Sequence, residues 1–135
     1  MSDDTPHAPA HRRPHPTAMA GPYIEIDLGR EIEQLHHEDT WSSGRNSKTL
    51  AKYADFRVVL MALKGGARIE EHQAAGRISI QTVAGHIRVR ALGRTFDLPA
   101  GRLLTLDRAT VHTVEALNES DVLLTIAWPD ADSMR

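Results

Sequence analysis

Eight histidines and no cysteine set the chemistry open to this chain. Disulfides, zinc–thiolate centres and cysteine nucleophiles are excluded, which leaves imidazole and carboxylate as the groups able to hold a metal or move a proton. His7, His11 and His15 recur every four residues, a spacing that would build one metal-binding face on a helix. Pro9 and Pro14 lie between them and forbid that helix. No Gly-x-Ser-x-Gly elbow exists to present a serine nucleophile. Ser42 to Thr49 ends in Ser47-Lys48-Thr49 but lacks the two glycines of a phosphate loop, at Ser42 and Ser47. Two histidines stand out by position. His72 follows Gly66 after five residues, and His112 follows Gly101 in a second glycine-led stretch.

The elements that would position these residues are short. Of 135 residues, 41% are hydrophobic and 25% charged, ordinary for one globular domain with a single core. Residues 1–21 hold four of the seven prolines and three of the eight histidines with few large apolar side chains, and read as a disordered leader. Residues 22–56 are expected to supply N-terminal strands and a short helix packing on a barrel. Ile24, Ile26 and Leu28 alternate with Glu25 and Asp27 as a half-buried strand does, and Arg30 to His37 predicts one or two helical turns. Lys48 to Tyr53 predicts another strand.

Residues 57–129 carry the barrel core. Val58 to Leu63 is an apolar run with the composition of a strand buried on both faces. Ile78 to Val83, Ile87 to Ala91, Thr95 to Leu98, Leu103 to Leu106, Val111 to Ala116 and Val122 to Trp128 follow, with turn residues about every ten positions. This is an all-β sandwich or barrel of antiparallel strands.

The stretch from Gly66 to His112 resembles the two paired motifs of the cupin superfamily, and the resemblance runs from Arg57 to Trp128. Gly66, five residues, His72 and the closing Gly85 match the first motif. Gly101, five residues, Asp107-Arg108-Ala109, two residues and His112 match the second, with Ala116 at its asparagine position. The resemblance implies a small cupin barrel, jelly-roll-like, of two packed antiparallel sheets with a site at its mouth. It also implies a homodimer joined through sheet edges.

Metal-dependent cupins that this chain resembles use two histidines and a glutamate from the first motif and one histidine from the second. Here His72 and His112 remain, while Ala74 holds the second histidine position and Ile78 or Ser79 the glutamate position. Two imidazoles fall short of the three or more protein ligands that first-row metals usually take. Glu70 and Gln81 are the candidates to complete a non-standard set for Fe, Mn, Ni, Cu or Zn. Glu70 shares the phase of His72 if residues 69–74 are regularly extended. Gln81 faces the barrel only if the register counts from Ser79. His112 shares a face with Val114 and Ala116 and reads as interior. His86 falls with Arg88 and Arg90 on a wet face, and His36 and His37 close the short helix at the surface.

The expected function is a small-molecule-binding cupin with a degenerate metal site, its pocket walled by Ile78, Ile80 and Val114. A metal-dependent oxygenase or isomerase is the alternative, and a structural or stress-related dimer a third. Arginine supplies 13 of the 16 basic residues, but they are scattered, and the formal net charge is −2. Neither nucleic acid nor an anionic membrane is an expected partner. No run reaches the roughly 18 apolar residues of a membrane span, nor is there a signal-peptide core, so a cytoplasmic location is expected.

Overall fold

The computed structural model describes residues 19–38, 43–72 and 75–129, the side chains of Glu71 and His72 excepted. Residues 1–18 of the proposed leader, with His7, His11 and His15, and the Ala74 position lie outside these residues.

One helix and nine strands follow in order: α1 Leu28–His36, β1 Arg45–Lys52, β2 Phe56–Leu63, β3 Arg68–His72, β4 Arg77–Ala84, β5 His86–Ala91, β6 Arg94–Pro99, β7 Leu103–Leu106, β8 His112–Ala116 and β9 Ser120–Ala127. They form two antiparallel sheets, a five-stranded one ordered β1-β2-β9-β4-β7 and a four-stranded one ordered β3-β8-β5-β6. Alternate residues of both sheets meet in one interior, where Leu63, Ile78, Ile80, Ile87, Val89 and Val114 are among the buried members. No helix among the described residues is long and apolar enough to cross a membrane.

The strand expected over residues 24–28 is not formed. Asp27 instead caps α1, its Oδ1 accepting from the Arg30 amide at 3.2 Å, and Leu28 becomes the first helical residue. The two-residue alternation there is outweighed by the helical recurrence of Leu28, Ile32 and Leu35, which buries a stripe against the five-stranded sheet. Leu35 packs with Leu50, Leu60 and Ala62 in a second apolar layer outside the barrel. This layer explains the continuous apolar run of β2: Leu60 and Ala62 face the helix, while Met61 and Leu63 face the interior.

The sheets are tied at their β4–β6 seam. Buried Thr82 donates through Oγ1 to the Leu98 carbonyl at 2.9 Å, and the Gly101 amide donates to the Thr82 carbonyl at 2.8 Å. Gly85 makes the β4–β5 turn at φ +88°, pressed against Glu119 and Ser120.

Candidate functional site

In the four-stranded sheet the site is set by register. Directly opposed residues of antiparallel strands form rows across the sheet, and three interior rows run over β8, β5 and β6. The first is Ala116, Ile87 and Leu98; the second is Val114, Val89 and Phe96; the third, at the sheet's end, is His112, Ala91 and Arg94. Aliphatic and aromatic side chains fill the first two rows. The third pairs a small central residue with two polar flanks.

The register also sets His72 opposite His112. Between Ile69 and His72 the β3 strand advances three residues while β8 advances two, from Val114 to His112. That extra residue is a β-bulge, and it breaks the regular alternation assumed over residues 69–74.

His112 is delivered by the loop after β7. The Asp107 carboxylate accepts from the Arg108 amide at 2.8 Å, and the Thr110 hydroxyl donates to the Asp107 carbonyl at 2.8 Å. Ala109 takes a left-handed φ of +61°, where the related motif carries glycine. The Arg108 amide, and then the hydrogen bond and charge of Arg77, hold the Asp107 carboxyl below its ordinary value. The loop so braced leaves His112 4% exposed, its Nδ1 3.0 Å from the Thr110 carbonyl. A carbonyl can only accept, so Nδ1 carries the proton, and in the neutral ring the lone pair sits on Nε2.

A cleft of about 790 Å³ opens over this end of the sheet, lined by Ala91, Arg94, Val111 and His112 and by Arg90 and Thr95 among the other-face residues. A second cavity, about 540 Å³, lies between the segment before α1 and β1, where Lys48 is held by Glu31 at 2.5 Å. That ion pair ties helix to strand.

The expected site residues separate in part. Glu70, 73% exposed in its side chain and held by Arg68 Nε at 3.0 Å, lines the same cleft as His112. Gln81 is exposed on the outer face of β4, because Ile78 points inward and the two-residue period carries Ile80 and Thr82 in with it. Ile78, Ile80 and Val114 are buried in the packed interior and do not reach the lining of the His112 cleft. Among the described residues, no three His, Asp or Glu side chains form a group able to hold a metal ion.

Two further histidines depart from a purely solvated reading. His86 is half-buried and its Nε2 lies 2.7 Å from Asp97. His36 bridges Asp121 at 2.7 Å and Glu119 at 3.2 Å, which fastens the end of α1 to β9. Arg94 was not among the sequence candidates. Its position was readable: Leu92-Gly93 is a two-residue turn, so Arg94 must pair with Ala91 and share its inward face.

No protein-family model matches the chain, and no curated protein matches it by sequence. Solved structures do match. A cupin superfamily protein from Desulfitobacterium hafniense aligns with a TM-score of 0.66 at 14% identity, over 83% of this chain and 96% of its own. KdgF from Halomonas aligns at 0.59 with 25% identity, over 67% of this chain and 84% of that one. A variant of salicylate 1,2-dioxygenase from Pseudoaminobacter salicylatoxidans aligns at 0.73 with 13% identity, over 96% of this chain but 40% of the enzyme. The shared property is the fold: this chain has the small double-sheet barrel of these cupin structures.

Proposed function

We propose that this cupin domain binds a small molecule at the His112 end of its barrel and lacks the family's standard metal set. One observation carries the reading. The cleft opens onto a buried imidazole of fixed tautomer, whereas the interior behind it is closed by packed aliphatic side chains. Such a site sets an oriented imidazole among charged and hydroxyl side chains at the cleft, with Ala91 and Val111 as its apolar members, which suits recognition of a small ligand.

A fragment screen by ligand-observed NMR tests this, run on the wild-type chain and on His112→Ala. Fragments should bind in the millimolar range or tighter and weaken about tenfold in the variant, as loss of a buried hydrogen-bonding group predicts. Hits that bind both proteins equally, or no hits at all, would contradict it.

The metal-dependent oxygenase or isomerase is retained as a second reading because of the register that sets His72 opposite His112. Nδ1–H donation to a carbonyl is also how ligating histidines are commonly oriented. Titration with Fe, Mn, Ni, Cu and Zn separates the two. Uptake of one equivalent, lost in His112→Ala, would favour the enzyme; no uptake would leave the binding reading alone. The homodimer is likewise a proposal, tested by sedimentation equilibrium.

A further inference from the structure

Three arginines line the cleft, and they are not equivalent. Arg68 is engaged by Glu70 at 3.0 Å. One row further along the outer face, Arg88 stands 4.0 Å from Asp97. Arg90 and Arg94 make no ion pair among the described residues. Arg94 instead stacks on Phe96, its Cζ 5.2 Å from the ring centroid, which orients the guanidinium without neutralising it. Two exposed cations thus remain unmatched at one end of one sheet.

The row that holds Arg94 carries its smallest side chain at the centre. His112, Ala91 and Arg94 lie on three successive strands, so the outer two backbones are about 10 Å apart. Only the methyl group of Ala91 stands between them, where the deeper rows carry Val89 and Ile87. The rim is apolar and strained. Exposed Val111 lines the cleft, and Leu92, between the lining residues Ala91 and Gly93, is 73% exposed at a left-handed φ of +56°, in a turn position that favours Asn or Gly. An exposed leucine held in an unfavourable backbone conformation serves the fold poorly, and such outliers gather at ligand sites.

We infer that the cleft takes a small organic oxyanion, a carboxylate or a phosphate ester, attached to an apolar body. The oxyanion sits on Arg94 at the sheet's end, with Arg90 bordering the same cleft from the other face, since a guanidinium presents paired N–H donors to just such a group. The apolar body lies against Val111, beside the Leu92-Gly93 turn. This inference rests on the reading of the cleft as a ligand site and names the ligand's class.

Isothermal titration with benzoate, phenyl phosphate and the uncharged benzamide tests it. At least one anion should bind the wild-type chain about tenfold or more tightly than benzamide, and which anion does so identifies the head group. Arg94→Gln should remove that advantage and Arg90→Gln reduce it; both side chains are exposed, so both variants should fold. Benzamide binding as tightly as both anions, or anion binding unchanged in Arg94→Gln, would overturn the oxyanion inference. If benzamide or neutral fragments bind and are lost in His112→Ala, the ligand site stands and the oxyanion inference falls. If none of the three probes binds and the fragment screen is also blank, both fall.

Discussion

Alanine at Gly85 should destabilise the barrel far more than alanine at Gly66 or Gly101, although all three glycines belong to the paired motifs. All three have φ near +90°, at +88°, +88° and +93° for Gly85, Gly66 and Gly101. A side chain there costs about 1–2 kcal/mol in left-handed strain alone. At Gly66 and Gly101 nothing lies within 4 Å of an added Cβ, so strain should be the whole effect. At Gly85 the Cβ would stand 2.3 Å from the Glu119 carbonyl oxygen, 2.4 Å from Ser120 Oγ and 2.6 Å from Ser120 Cα. These atoms cannot easily retreat. Ser120 Oγ accepts from the His86 amide at 3.0 Å and donates to the Asn118 carbonyl at 2.9 Å, at the start of β9. Displacing that strand end should bring the total to about 4 kcal/mol, the range of the most damaging single changes. Urea unfolding followed by circular dichroism compares the three variants. A Gly85→Ala loss no larger than those of Gly66→Ala and Gly101→Ala would refute the close approach and the structural role given to that turn.

Leu92→Asn and Ala109→Gly should each raise stability by about 0.5–1 kcal/mol in the same assay, because each relieves a left-handed residue; a loss in either would show that its turn is held by side-chain packing. Leu35→Ala should cost about 2–5 kcal/mol, since Leu35 is fully buried between α1 and the five-stranded sheet. A change typical of a surface site would mean that the helix is not docked. Asp107 makes stability depend on pH. Its carboxyl is lowered from 3.8 in the folded chain, so its contribution is present above that value and is lost as pH falls through the folded value. The stability difference between wild type and Asp107→Asn should therefore be constant near neutrality, shrink below pH 3.8 and shrink also with added salt. A difference that persists unchanged into strong acid would contradict the Arg77 and Arg108 contacts.

The barrel was legible because its strands are short, bounded by turn residues and patterned with a period of two. Even the two-sided burial of β2 showed in the run from Val58 to Leu63. Residues 24–28 misled because the alternation of Ile24, Ile26 and Leu28 also fits a coil leading into a helix, and Asp27 as N-cap decides between them. The site was only half legible. His112 could be placed from its apolar neighbours Val114 and Ala116, but the β3 bulge, which breaks the alternation between Ile69 and His72, cannot be counted from composition. Gln81 depended on a one-residue choice of register that tertiary pairing settles. Arg94 was hidden by its surroundings in sequence, where arginines look scattered; only pairing across the Leu92-Gly93 turn brings it into the row of His112.

Backbone chemical-shift mapping with isotope-labelled protein and benzoate tests the central claim, that the cleft at His112 is the ligand site. The account predicts shifts confined to residues 90–95 and 111–113, saturating with one ligand per chain and diminished in Arg94→Gln. Shifts scattered over the surface, or centred on Ser47 to Leu50 at the cavity beside α1 with none at His112, would contradict it.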